Sequence, residues 1–306
     1  MNTSLSNSRR LFIAFTAVTM WLACVGSASA QQPRKPSVPP GVTVSKNLEY
    51  VTHGHERNKL DVYVPDKAEG RLPLVVWIHG GAWKAGSKEG GPAMGLVKQG
   101  YVVASINYRY SQQAVFPAQI EDCKAAIRWL RAHAAEYHID PARVGAWGAS
   151  AGGHLVAMLD VTGDTKEFDV GENLDQSSQV QCVVDWFGPT DMVTIQVGGD
   201  TSNSPITQLI GGPVSDNKEK AQKASPITFV SKTSAPILIM HGDKDPLVPL
   251  SQSERFAAAL NKAGVDVMFK IIEGNGHGGP GFGTPESRKL IQDFFAKHLK
   301  DGKKRP

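Results

Sequence analysis

The ten residues Val144-Gly145-Ala146-Trp147-Gly148-Ala149-Ser150-Ala151-Gly152-Gly153 decide the fold. Val144 to Trp147 is a short apolar run of the kind that forms a strand buried on both faces. Ala151 to Leu159 follows at once with helical spacing. Between them lies the pattern Gly148-Ala149-Ser150-Ala151-Gly152. In so tight a strand-to-helix turn the serine backbone is strained and its neighbours two positions away are crowded, which only glycine tolerates well. Such a turn lifts the Ser150 hydroxyl into the open.

The same grammar runs outward in both directions. Leu72 to Ile78, Tyr101 to Ile106, Val180 to Trp186, Pro236 to Met240 and Val265 to Ile272 are further apolar runs and predict strands buried on both faces. Gln119 to Ala135, Ser251 to Ala263 and Glu286 to Leu299 predict helices between and after them. Repeated strand, helix, strand units build a mostly parallel sheet covered on both sides. Val42 to Val51 and Leu60 to Val64 alternate apolar and polar side chains and predict an antiparallel pair with one wet face. Residues 192–230 lack clear elements and predict a loop-rich, cap-like insertion.

With 33 basic against 29 acidic side chains, 41% hydrophobic residues and 20% charged, the composition is that of a globular protein with a large core. The basic residues Arg9, Arg10, Lys303, Lys304 and Arg305 sit at the two ends, which leaves no basic field for nucleic acid. Residues 1–30 predict an export signal: Arg9-Arg10, an apolar run from Leu11 to Gly26, and cleavage after Ala28-Ser29-Ala30. That run is too short to span a membrane; Ser8-Arg9-Arg10-Leu11-Phe12 resembles a twin-arginine signal, with general secretory export the equal alternative. Leu22-Ala23-Cys24 offers a lipoprotein site as a minor alternative. Residues 31–41, with Pro33, Pro36, Pro39 and Pro40, predict a tether; 42–300 the catalytic domain; 301–306 a basic tail. Cleavage leaves Cys123 and Cys182 in an oxidising compartment, where one bridge is possible; their apolar surroundings favour two buried thiols, and neither is the nucleophile.

A serine hydroxyl needs a base poised near neutrality, which means histidine. Of nine histidines, His277 follows the last apolar run in the glycine-rich loop Gly274 to Gly279 and is the candidate base. His154, one helical turn from Ser150, predicts packing. His79 and His241, each after a strand and before a glycine, predict hydrogen-bonded loop ties. His53, His55 and Glu56 lack the remaining ligands of a metal site. The acid that fixes the imidazole is Asp245, at the bend set by Pro246, with Asp243 the second candidate. Asp191 predicts a helix cap. The loop His79-Gly80-Gly81-Ala82-Trp83 follows a strand and offers the Gly80 and Gly81 amides, with that of Ala151, to a developing oxyanion. Trp83 either walls the acyl pocket, as a substrate-binding residue, or anchors that loop.

Serine, then aspartate, then histidine is the chain order of the α/β-hydrolase superfamily. The motifs HGGAW, GASAGGH, WFGPTD and HGDKDPLVP resemble its bacterial esterase and lipase group, including feruloyl esterase-like and acetylxylan esterase-like enzymes. The likeness runs from about Val42 to Leu299. It implies an α/β-hydrolase fold, a mostly parallel sheet with helices on both faces and a short loop-rich cap. Ala82 and Ala149 depart from the hormone-sensitive-lipase-like branch. The expectation is a secreted or periplasmic serine carboxylic ester hydrolase with no cofactor and no metal. It would act through an acyl-enzyme on short-chain or polysaccharide-linked esters of acetyl or feruloyl type. The alternatives are a prolyl-oligopeptidase-like peptidase and a catalytically dead binding protein on the same scaffold.

Overall fold

In the computed structural model, which describes residues 40–195 and 201–301, the apolar runs from Leu72 to Ile272 find their places in one eight-stranded sheet. The leader, most of the tether, residues 196–200 of the insertion and all but the first residue of the basic tail lie outside the described residues.

The strands are β1 (Val42–Glu49), β2 (Lys59–Pro65), β3 (Leu72–Ile78), β4 (Val102–Ile106), β5 (Ile139–Ala149), β6 (Cys182–Trp186), β7 (Ile237–Gly242) and β8 (Val267–Ile272). Their order across the sheet is β1-β2-β4-β3-β5-β6-β7-β8. The β1/β2 and β2/β4 pairs are antiparallel, and β4 through β8 run parallel. The chain passes from β3 outward to β4, then returns to place β5 on the other side of β3. That reversal opens a crevice at the carboxyl ends of β3 and β5, where parallel sheets bind their ligands.

Side chains alternate between two apolar layers, which is why the parallel strands read as unbroken hydrophobic runs. On β3, Leu74, Val76 and Ile78 enter one layer and Val75 and Trp77 the other. The first layer holds α1 (Ala118–Ala132), α2 (Ala151–Thr162) and α5 (Ser251–Lys262). The second holds the short helical segment Pro92–Gln99 and α6 (Pro285–Phe295). All of α2 is buried, as expected of a helix apolar on every side. In the second layer Trp77, Trp147 and Trp186 meet edge to face with ring centroids 5.0 to 6.4 Å apart. Pro285 supplies the first residue of α6 and the Thr284 hydroxyl accepts from the Ser287 amide, a cap that fixes where this helix starts.

Two expectations need correcting. β8 is an edge strand rather than one buried on both faces, and Met268 and Ile271 are exposed along it. The insertion is not merely loop: it carries α3 (Pro205–Ile210), α4 (Lys218–Lys223) and the single turns Val214–Asp216 and Pro226–Phe229.

Cys123, on α1, belongs to the first apolar layer and Cys182, on β6, to the second, so the sheet separates them. Burial, with the Asp122 charge adding to it, pushes the Cys123 thiol well above the ordinary range. Both cysteines should therefore resist a thiol reagent in the native protein and both should titrate after unfolding without reductant. Loss of the pair from that unfolded titration would reveal a bridge the fold does not allow.

Candidate active site

Ser150 joins β5 to α2 with φ 56° and ψ −120°, a left-handed conformation held by its surroundings. Its amide donates to the Trp186 carbonyl at the end of β6 at 2.8 Å. A Cβ on Gly148 would lie 2.1 Å from the Gly152 carbonyl oxygen, and one on Gly152 2.1 Å from that of Ile78. Both glycines of the motif are thus required by backbone approach, as the crowding argument anticipates. The serine side chain makes no bond to its own helix, which leaves the hydroxyl to its neighbours.

That neighbour is His277. The Ser150 hydroxyl lies 2.7 Å from His277 Nε2, and His277 Nδ1 lies 2.7 Å from Asp245 Oδ2. A carboxylate accepts, so Nδ1 carries the hydrogen and Nε2 is left to take the serine proton. The His277 side chain is 16% exposed and that of Asp245 fully covered. Gly242 at the end of β7 admits the histidine loop: a Cβ there would sit 2.2 Å from the Asn275 carbonyl oxygen. Phe187, a buried residue that the sequence reading did not single out, backs the imidazole with ring centroids 4.5 Å apart.

Asp245 Oδ1 accepts from the amides of Leu247 and Val248 at 2.8 and 2.9 Å, and Pro246, which has no N–H to give, occupies the bend between. Burial alone would raise this carboxyl; the bonds from His241, His277 and those two amides overcome it and hold the pKa well below the usual carboxylate range. The second candidate, Asp243, instead accepts from the Gly274 amide at 2.6 Å and pairs with Lys244. Asp191 caps a turn through the Val193 and Thr194 amides and pairs with Arg255 at 2.7 Å.

The loop after β3 turns sharply beside Ser150. Gly81, Ala82 and Trp83 are all left-handed, at φ 107°, 52° and 55°. The Gly81 carbonyl accepts from Lys84 and Ala85, closing one turn. Those bonds use the later amides and leave those of Ala82 and Trp83 outside the turn. Ala82 and Ala151 line the cavity beside Ser150, whereas Gly80 and Gly81 do not. Gly80 stands behind the nucleophile, where a Cβ would meet the Ala149 carbonyl at 2.8 Å and Ser150 Cβ at 3.2 Å.

His79 fastens this loop: Nδ1 donates to the Gly80 carbonyl at 2.7 Å, Nε2 lies 3.3 Å from the Arg57 guanidinium, and the ring stacks on Tyr108. Burial lowers its pKa to about 4 against the opposing pull of the Gly80 carbonyl. Trp83 fills both of its readings, since it lines the cavity and its Nε1 donates to His154 Nδ1 at 3.1 Å. His154 in turn donates from Nε2 to the Ala224 carbonyl of the insertion at 2.8 Å, and burial lowers it too to about 4.

The cavity at Ser150 measures about 130 Å³. Its walls are almost wholly apolar: Trp83, Pro189, Leu247 and Val248, together with Ile195, Pro205 and Ile206 from the insertion. Among the described residues, no three His, Cys, Asp or Glu side chains are grouped to hold a metal ion.

A family model described as BD-FAE matches residues 60–260. Esterase LipQ of Mycobacterium tuberculosis (strain ATCC 25618 / H37Rv) is 34% identical over 231 residues, 73% of this chain and 54% of that protein. The chain spans about half the length of the curated relatives it matches. Among solved structures, a truncated form of a carbohydrate esterase from gut microbiota superposes with a TM-score of 0.81 at 35% identity, covering 87% of this chain and 99% of that one. An acetyl ester-xyloside bifunctional hydrolase from Caldicellulosiruptor lactoaceticus superposes with a TM-score of 0.67 at 27% identity, covering 78% and 87%.

Beside the site, Asp185 of β6 is fully buried. Its Oδ1 accepts from the Gly188 amide at 2.9 Å, while Oδ2 has no partner among the described residues. Burial raises its pKa to about 6, against the Gly188 amide and His241. A raised carboxyl binds its proton more tightly folded than unfolded. Its contribution to stability is therefore complete below about pH 4 and lost as pH rises through about 6. Replacement by asparagine should remove that pH dependence. Denaturant unfolding at pH 4 and pH 8 should show wild type losing up to about 3 kcal/mol relative to Asp185→Asn. Parallel curves for the two proteins would contradict the assignment.

Proposed function

The chain belongs to the BD-FAE family, and from that membership we propose that it is an exported serine esterase that removes short acyl groups, acetyl foremost, from carbohydrate. The observation that carries this reading is the line Asp245, His277, Ser150, with both contacts at 2.7 Å, ending in a small apolar cavity.

The reaction follows from the hydrogen positions. His277 Nε2 takes the Ser150 proton as Oγ attacks the ester carbonyl, and Asp245 holds the imidazolium that results. The oxyanion would be received by the amide of Ala151, the first residue of α2, whose N–H has no partner within that helix. The loop after β3 would supply the second donor from among the successive amides of Gly80, Gly81 and Ala82. Each such donor contributes roughly 3 to 4 kcal/mol to the transition state. His277 then passes its proton to the departing alcohol, and water attacks the acyl-serine by the same route reversed.

The cavity supports a short acyl group. An apolar cavity of about 150 Å³ holds a single benzene, so one of about 130 Å³ suits an acyl group of acetyl to butyryl size. The carbohydrate side rests on the neighbour described as a carbohydrate esterase, and export rests on the leader-like residues 1–30. Among the described residues no helix is long and apolar enough to cross a membrane.

Two measurements test the proposal. Ser150→Ala should lower kcat by about 10⁶-fold, the scale of losing a triad nucleophile; full ester turnover in the purified variant would refute it. Across a series of p-nitrophenyl esters, kcat/KM should be highest at about two to four acyl carbons and fall steeply by about ten, with p-nitrophenyl ferulate well below the acetate. A maximum among the long chains would overturn the short-acyl reading.

A further inference from the structure

Two imidazoles meet the carboxylate of Asp245. Beside His277, the buried His241 at the end of β7 places Nε2 3.2 Å from the same oxygen, Oδ2. That Nε2 is also 2.9 Å from the Val248 carbonyl, which can only accept, so Nε2 carries a hydrogen shared between the two oxygens. On the other side of the ring, Nδ1 lies 2.7 Å from the hydroxyl of Ser253, in the first turn of α5 and itself buried. Counting the Leu247 and Val248 amides on Oδ1, the carboxylate receives four donors, two on each oxygen. It cannot turn without breaking one.

We propose that His241, held by Ser253, is a positioning residue for the reaction: it fixes the plane of Asp245 and withdraws charge from the oxygen that His277 uses. The inference rests on the serine-esterase reading. Removing this donor leaves more negative charge facing His277, which then keeps its proton to higher pH. The acid limb of activity, which requires neutral His277, therefore moves up. The charged or titratable groups facing His241 are Asp245 from the following loop, Asp185 from β6 and, through Asp245, His277. The ring of Phe187 stands edge-on to it at 6.4 Å.

The test is the pH profile of p-nitrophenyl acetate hydrolysis in wild type, His241→Leu, His241→Gln and Ser253→Ala, with the His277 titration followed in parallel by NMR. His241→Leu should move the acid limb and the His277 midpoint up by about half a pH unit or more. It should also lower kcat about tenfold while KM changes by less than about twofold. His241→Gln keeps an N–H in reach of the same oxygen and should stay within about threefold of wild type with its limb in place. Ser253→Ala should shift the limb in the same direction by less. An unmoved limb and midpoint in His241→Leu, or equal losses in the leucine and glutamine variants, would overturn the proposal. Where His241→Leu does not fold, an unmoved Ser253→Ala does so. Wild-type protein without ester turnover counts against the esterase reading alone, because the His277 midpoint still decides the role of His241.

Discussion

The close approach of backbones at the β5 to α2 turn is the constraint on which the site depends. Ser150 holds a conformation that costs about 1 to 3 kcal/mol, and three contacts keep it there. Its amide is tied to Trp186 at the end of β6, Gly152 lies against the Ile78 and His79 carbonyls at the end of β3, and Gly80 lies against the carbonyl of Ala149. The nucleophile, the donor loop and the end of β6 therefore form one packed unit. A side chain at Gly148 would force the start of α2 away from β5, and one at Gly152 would force the turn away from the end of β3. The burial of every residue of α2 resists that displacement.

Around this unit the histidines divide by burial. His79 and His154 are deeply covered and held near pKa 4, so they serve as hydrogen-bond struts without placing a positive charge beside the reacting serine. His277 stays partly exposed, where a substrate can reach the hydroxyl it activates. The covered carboxylate of Asp245, kept ionised by its four donors, holds that imidazole against Ser150. Identical side chains thus take different roles because desolvation differs over a few ångströms.

The parallel strands were legible because burial on both faces leaves an unbroken apolar run, and the GxSxG turn because its glycines answer a steric demand. Asp245 was legible through Pro246, whose missing N–H suits a turn that wraps the carboxylate in the next two amides. Where position in the sheet decides the environment, sequence falls short. Val265 to Ile272 has the composition of a buried strand, yet β8 has a neighbour on one side only. The left-handed backbone of Ala82 and Trp83 left no mark in the sequence, because φ angles are not recorded in their side chains. Phe187 has no pattern of its own. The short helices of the insertion did carry a signal, Ser204-Pro205 and Ser225-Pro226, since proline at a first helical position needs no hydrogen-bond partner.

That insertion is where fold and substrate choice meet. Pro205 and Ile206 form part of the cavity wall, and the Ala224 carbonyl accepts from His154, whose other nitrogen accepts from Trp83. His154 sits on α2 one turn after Ala151, so the cover, the tryptophan wall and the amide facing the oxyanion are all referenced to the same helix.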